Sequence, residues 1–191
     1  GQIYVSLEQL TESIAAELGS FLGVGILTLE EATKYAVSGP VARASGLAID
    51  LRLKNEGLNY QLLESWRSTT SSDGDISARV QQLLTEILIS GQAIQECVPI
   101  CIAQAGSEIN VLIPKVLRVP EGEYEHSLET PLGIASWFLV SRGDKYPYRL
   151  KLRPASLHTL LALSVVLPGN SRELIAPIIA SMPFLTGDTD R

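Results

Sequence analysis

The segment DISARVQQLLTEILISGQAIQE, residues 75–96, carries the strongest helix signal in the chain. Its apolar residues recur every three to four positions, as on a helix with one buried face: Ile76, Val80, Leu83, Leu84, Ile87, Leu88 and Ile94. At 1.5 Å per residue, a helix of this length spans about 30 Å, the width of a small domain. We therefore predict one long central helix against which the rest of the chain packs.

Shorter segments on both sides complete an α+β pattern. Helices are predicted at residues 6–21, 28–37, 155–167 and from about 170 to Pro183, with Ser6 and Thr28 at the helix starts. Short runs at 123–128, 134–141 and 148–152, separated by turn residues, predict a small antiparallel sheet. The prediction is a single domain over residues 1–191. It is helical over 1–110, with a sheet over 115–153 and a helical tail over 154–191. The last part of the tail, Phe184 to Arg191, is predicted to be polar and open.

The composition excludes several classes of function. A formal charge of −6 and a pI near 5.0 argue against binding nucleic acid and against an electrostatic membrane anchor. The 46% hydrophobic and 19% charged content fits either a surface partly covered by a partner or an ordinary globular surface. Two cysteines are too few for a disulfide framework and suit a reducing cytosol. Gly1 in place of an initiator methionine leaves the natural start open, and no signal peptide is visible.

The side chains most often used in catalysis or metal binding are few and scattered. Cys97 and Cys101 lie four residues apart around Pro99, short of the four ligands that zinc normally takes, and we interpret them as buried, inert thiols. His126 and His158 are interpreted as structural or solvated. The acidic residues at 121, 123, 125 and 129 alternate, which is typical of a solvated strand face. General nucleotide, phosphate and hydrolase motifs are missing from the sequence.

Several short motifs, taken in their order and spacing, carry a resemblance to a known family. They are GVGILT at 23–28, GPVARASG at 39–46, DLR at 50–52, GD at 74–75 with Arg79, ETPLG at 129–133, PYRLKLR at 147–153, Ser156-Leu157, Ser181, GD at 187–188 and the terminal Asp190-Arg191. In combination they resemble the D-type (49-kDa) subunit of respiratory NADH–quinone oxidoreductase, a family related to the nickel–iron hydrogenase large subunits. The resemblance covers nearly the whole chain but only the carboxyl-terminal part of the family's longer subunits, and it implies a hydrogenase large subunit-like fold.

The departures from the family pattern bear on chemistry. Hydrogenase relatives hold their metal with two Cys-x-x-Cys pairs, whereas the matching tail positions here are Leu185 and Asp188, so no metal site and no hydrogenase activity are expected. Quinone-reducing relatives use the vacated cavity for the quinone headgroup. The resemblance therefore makes Leu185, Thr186 and Asp188 candidates for a quinone pocket. Where the family has Pro-Arg-Gly-Glu, this sequence has PLGI at residues 131–134, so an arginine and a glutamate are both replaced by apolar residues. Because both charges are lost together, neither is left buried without a partner.

Five polar residues keep the family pattern: Arg43, Asp50, Arg52, Arg149 and Arg153. We interpret them as salt bridges at helix ends and loops, worth roughly 0–1 kcal/mol each if exposed. The alternative is a role in a quinone site.

A stand-alone enzyme would need a catalytic constellation that the sequence does not show, and two further functions are weighed. The first is a subunit or accessory module of an NADH–quinone oxidoreductase-like or hydrogenase-related electron-transfer complex, cytoplasmic or at the cytoplasmic face of the inner membrane. In that case quinone is the one ligand this chain could bind, while flavin and iron–sulfur clusters belong to partner subunits. The alternative is a non-catalytic scaffold or assembly protein that retains the fold, self-associating as a homo-oligomer. In the family, the His and Tyr that bind the quinone headgroup lie on an amino-terminal sheet that has no counterpart in this sequence. Whether a partner chain supplies that sheet is left open.

Overall fold

The computed structural model describes residues 2–54, 59–108, 110 and 112–190, so Gly1 and Arg191 lie outside the described residues. The helices and strands are α1 (Gln2–Glu17), α2 (Leu29–Lys34), α3 (Gly39–Ala44), α4 (Ile76–Ala103), β1 (Gly122–Thr130), β2 (Gly133–Ser141), β3 (Arg149–Arg153), α5 (Ala155–Val166), α6 (Ile175–Ser181) and α7 (Thr186–Thr189). Short 3-10 turns occupy Leu18–Phe21, Leu51–Leu53, Tyr60–Leu62 and Arg172–Leu174. The predicted α+β class is confirmed.

Helix α4 is the predicted central helix, and it extends beyond the residues whose apolar spacing predicted it. Its first turn is capped by Asp75, whose side chain accepts a hydrogen bond from the Ala78 backbone at 2.7 Å. The helix continues through Pro99 to Ala103, seven residues beyond the predicted end near Glu96. Proline has no N–H to donate to the carbonyl of Gln95, so it weakens the helix at this point, and the chain nevertheless remains helical.

The hydrophobic core lies between the first half of α4 and helices α2, α3, α5 and α6. Its buried side chains are Leu27, Ala32, Val37, Val41, Ala42, Ile76, Ala162, Leu163, Val166, Ile178 and Met182. Arg79 of α4 is fully buried beside it and donates to Ser181 Oγ at 3.0 Å and to the carbonyls of Gly25 and Gly74. Burial lowers the pKa of the Arg79 guanidinium to about 10, although the charge of Asp75 opposes the shift, so the side chain stays charged at neutral pH. Arg79 thus fastens two loops and α6 to α4.

The sheet is antiparallel, as predicted. Its strand order is β1–β2–β3, and its β1–β2 turn packs against the start of α3. Gly39 (φ +72°) approaches Gly133 so closely that a Cβ on Gly39 would lie 2.5 Å from the Gly133 Cα. The Ile134 backbone N–H donates to Ser38 Oγ at 2.8 Å. These contacts fix the turn relative to α3.

Two predictions about chain ends are wrong. Helix α1 begins at Gln2, so Ser6 lies inside the helix and is not its cap, whereas the cap at Thr28 is confirmed and forms a capping box with Glu31.

The polar tail is not open. The buried Ser156 hydroxyl donates to Asp188 Oδ2 at 2.9 Å and accepts from the Leu185 backbone at 3.1 Å, which holds the tail on α5. A buried hydroxyl needs such partners.

Candidate functional site

Five charged side chains form a buried charge cluster: Arg43, Asp50, Arg52, Glu86 and Glu129. Arg43, on α3, is its centre and is 1% exposed. It binds Glu86 of α4 through two nitrogens, at 2.7 and 2.8 Å, and Glu129 of β1 through Nη1 at 2.7 Å. Three separate elements are therefore joined by one guanidinium.

Arg52 forms the outer edge of the cluster. Its Nε and Nη2 each donate to a different oxygen of Asp50 at 2.8 Å, and Nη2 also donates to Glu86 at 3.2 Å. Its guanidinium lies 4.6 Å from the ring centre of Trp66, a cation–π contact. Arg52 is thus held on its two sides by carboxylates and by an aromatic face.

Burial works against the charges of Arg43, Asp50, Arg52 and Glu86, but the ion pairs outweigh it. Burial alone would raise the pKa of the Glu86 carboxyl, yet hydrogen bonds and charge from Arg43 hold that pKa below its ordinary value. The Asp50 pKa is likewise lowered by Arg52 against desolvation. The pKa values of both arginines are raised, because their carboxylate partners outweigh the desolvation that would lower them. Asp50, Glu86 and the two arginines are therefore charged at neutral pH.

The cluster bears on two interpretations made from sequence. Glu129, expected on a solvated strand face, has a side chain with 0% exposure, because the β1–β2 turn is pressed onto α3 and onto the 3-10 turn that contains Arg52. Arg43, Asp50 and Arg52 form salt bridges, as interpreted from sequence, and these lie largely inside the protein, so the energy given for exposed pairs does not apply to them. Sequence reasoning missed Glu86, although an acid between Leu83 and Ile87 on the apolar face of α4 was a usable signal.

The remaining two family-pattern arginines lie outside the cluster. Arg149 is exposed on β3. Arg153, at the end of β3, donates from Nε to His158 Nε2 at 2.8 Å, and His158 Nδ1 lies 3.0 Å from the Tyr35 carbonyl. This arrangement requires a neutral imidazole with its proton on Nδ1. Burial lowers the His158 pKa; the Tyr35 hydrogen bond opposes that shift, and the Arg153 charge adds to it.

We expect stability to depend on pH through His158. The His158 pKa is lower in the folded chain than the ordinary 6.5 of the unfolded chain. At pH values between these two pKa values, the unfolded chain therefore binds more protons than the folded chain. The free energy of unfolding should therefore rise as pH increases through this window and level off above about pH 6.5. Urea unfolding at several pH values checks this. In the His158→Gln variant, the free energy of unfolding should no longer rise with pH in this window. An unchanged rise in the variant would show that His158 does not cause it.

Within the described part of the chain, three cavities meet at Pro131, in the β1–β2 turn. The aromatic cavity, about 570 Å³, is lined by Arg52, Tyr60, Trp66, Cys97, Cys101 and Glu129 among others. The helix groove, about 1060 Å³, is lined mainly by apolar residues of α1 and α4 and reaches Arg52 and Glu86. The tail cavity, about 510 Å³, includes Leu132, Trp137, Arg153, Leu185 and Asp188. The charge cluster thus opens at Arg52 into largely apolar space.

The tail candidates are only partly brought together. Leu185 and Asp188 line the tail cavity, whereas Thr186 is not among its lining residues. One Asp188 oxygen is occupied by the Ser156 hydroxyl. Leu185 and Asp188 therefore share one cavity wall, with Leu185 largely exposed.

The two cysteines are not buried as predicted. Cys97 is half-buried and Cys101 is exposed, because the last turns of α4 extend past the packed core. Among the described residues, no group of three or more His, Cys, Asp or Glu side chains could hold a metal ion.

A model of the family described as the respiratory-chain NADH dehydrogenase 49 Kd subunit matches residues 7–116 and 102–191. The chain therefore belongs to this family. It is 40% identical, over its whole length and 50% of the relative, to a D-type subunit of the NADH-quinone oxidoreductase of Salinispora tropica. It is 36% identical to the D-type subunit of the F(420)H(2) dehydrogenase of Methanosarcina mazei, over 89% of this chain and 46% of that one. The chain spans about half the length of the curated relatives it matches.

A solved structure shows the same fold. A chain of the membrane-bound sulfane sulfur reductase, an archaeal respiratory membrane complex, superposes with a TM-score of 0.79 at 22% identity, covering 98% of this chain and 55% of that one. In the described part of this chain, α4 is the helix that is long and apolar enough to cross a membrane by length and composition, and 11% of its most apolar 18-residue stretch is buried.

Proposed function

We propose that this chain is a D-type module of an NADH–quinone oxidoreductase-like electron-transfer complex and that it forms part of the wall of a quinone cavity. The observation that carries the proposal is the buried charge cluster opening through Arg52 into an apolar, aromatic-walled cavity. Family membership and the names of the relatives support it.

The walls suit a quinone chemically. A quinone has a flat, largely apolar ring with two carbonyl oxygens, so its site needs aromatic or aliphatic walls and a few polar groups. The aromatic cavity offers Tyr60 and Trp66, whose ring centres lie 4.5 Å apart, beside the charged edge of Arg52. The tail cavity offers Trp137 and Leu185 beside Arg153. Because the carboxylates and the Trp66 ring hold Arg52 in place, its charge is fixed before a ligand arrives.

The exposed part of α4 supports association with partner subunits. Its second half presents Ile94, 63% exposed, together with Val98 and Ile102, an apolar face of the kind that marks protein–protein contacts. The same three residues line the aromatic cavity, so a partner subunit bound here would cover the open side of that cavity. In this proposal flavin and iron–sulfur clusters sit on those partners, and the assembled complex lies at the cytoplasmic face of a membrane.

The second candidate is a non-catalytic scaffold that self-associates, which the same α4 face favours. Size-exclusion chromatography with light scattering separates the two. The scaffold predicts a homo-oligomer of the isolated chain, and the module predicts co-purification with flavin- and cluster-carrying subunits.

The Leu185→Arg variant tests the quinone wall. We expect quinone-dependent turnover of the assembled complex to fall at least about tenfold, which corresponds to roughly 1.4 kcal/mol, because the longer, charged side chain replaces an apolar wall against which the quinone ring would pack. Turnover with a water-soluble artificial electron acceptor should stay unchanged. The matched control is Leu117→Arg, an exposed position outside the three cavities. Full quinone turnover of Leu185→Arg in an intact complex would count against the proposal.

A further inference from the structure

Cys97 and Cys101 lie together in the α4 wall of the aromatic cavity. Four residues apart on a helix, they share one face. Cys101 is exposed and Cys97 half-buried, so reagents in solution can reach the pair. The function proposed above uses neither thiol.

The helix holds the two residues just short of bonding distance. Four residues of α-helix rise about 6 Å, which places the two Cα atoms about 6.2 Å apart and inside the roughly 4.4–6.8 Å range seen in disulfides. Their Cβ atoms are about 5–6 Å apart, whereas a disulfide needs about 3.5–4.5 Å. Closing the bond therefore requires the helix to contract locally by about 1–2 Å.

Pro99, between the two cysteines, makes that contraction easier. It cannot donate to the Gln95 carbonyl, so the helix lacks one of its hydrogen bonds at this point. The turn beyond it is also weakly packed, since Ile100 and Ile102 are largely exposed. Little packing is lost when this turn moves.

We propose that Cys97 and Cys101 are a redox-active dithiol pair that closes into an intrachain disulfide and reshapes the aromatic cavity. The oxidant is a small-molecule disulfide. The Cys101 thiolate attacks one of its sulfurs, the S–S bond breaks, and one thiol leaves with a proton. The Cys97 thiolate then attacks Cys101 Sγ in the mixed disulfide and releases the second thiol. Two protein thiols are oxidised to one disulfide, and one small-molecule disulfide is reduced to two thiols.

The closed form changes the cavity because its wall moves. Drawing Cys101 toward Cys97 displaces Ile102, which lines the same cavity as Trp66. The inference rests on the geometry of α4 and does not depend on which ligand the cavity binds.

The test uses the full chain incubated with oxidised glutathione. Intact-mass spectrometry should show a monomer that has lost two hydrogens and has no free thiol by titration. The Cys97→Ser and Cys101→Ser variants should each retain one glutathione. A wild-type chain that keeps glutathione on either cysteine, or that forms interchain dimers, overturns the proposal.

Two further variants test the coupling to the helix and the cavity. Pro99→Ala restores the missing N–H donor and should lower the equilibrium constant for closing the disulfide at least about tenfold in a glutathione buffer. An unchanged constant overturns the role of Pro99. In Trp137→Phe, the remaining tryptophan is Trp66, and its fluorescence should change on oxidation and return on reduction. An unchanged spectrum overturns the reshaping of the cavity.

Discussion

Replacing Arg43 with methionine is expected to lower the free energy of unfolding by about 3–5 kcal/mol, the usual cost of stranding buried charges. The methionine fills similar space but provides no donor, so Glu86 and Glu129 each lose their Arg43 hydrogen bonds inside the protein. The charge cluster is then left with three carboxylates against Arg52 alone.

Urea unfolding measures the effect. The control is Arg149→Met, which removes an exposed arginine from the sheet and should change stability by less than about 0.5 kcal/mol. Adding Glu129→Gln to Arg43→Met should restore part of the loss, because it neutralises one of the stranded charges. Equal losses for Arg43→Met and Arg149→Met would show that the cluster does not stabilise the fold.

The same substitution should alter acid stability. The pKa values of Asp50 and Glu86 lie below their ordinary 3.8 and 4.5 in the folded chain. The stability that these carboxylates contribute is present above about pH 4.5 and is lost as pH falls through the lower folded values. The Arg43→Met variant lacks the main partner of Glu86, so its stability should fall less steeply in this range.

Replacing Gly39 with alanine should be the other large perturbation, at about 2–5 kcal/mol. About 1–2 kcal/mol comes from a left-handed backbone with a Cβ and about 1–3 kcal/mol from overpacking. The new Cβ would meet three backbone atoms of the Leu132–Gly133 peptide, 2.5 Å from Gly133 Cα, 2.7 Å from Gly133 N and 2.8 Å from the Leu132 carbonyl oxygen. Backbone cannot rotate away as a side chain can, so α3 and the β1–β2 turn must separate.

Gly23→Ala is the matched control. Gly23 has a similar φ of +71°, but no atom lies within 4 Å of its added Cβ. It should show the conformational cost alone, and the difference between the two variants in thermal or urea unfolding isolates the steric part. Equal losses would mean that α3 and the turn are not in close contact in solution.

The parts of the fold that could be predicted are those that depend on residues close together in the sequence. The apolar spacing of residues 75–96 and the turn residues between the strands are readable within a few positions, and the structure has α4 and the three strands there. The end of α4 was misjudged because the helix tolerates Pro99 where little packs against it.

The candidate site was predicted less completely because it depends on distant contacts. Family motifs pointed to Arg43 and Arg52, but not to their environment. Arg43 meets Glu86 and Glu129, which are 43 and 86 positions away in sequence. Only the folded chain shows that Glu129 turns inward and that Ser156 holds the tail. The quinone-pocket role of Leu185, Thr186 and Asp188 stays a prediction.

The position of Pro131 in the walls of three cavities has a thermodynamic consequence. A molecule that shifts Pro131 as it fills one cavity also changes a wall of the other two, so this molecule and an occupant of a neighbouring cavity do not bind independently. By linkage, each changes the affinity for the other by the same factor. If one ligand is titrated at several fixed concentrations of a second, its apparent dissociation constant should therefore change with the concentration of the second ligand, even though the two molecules never touch.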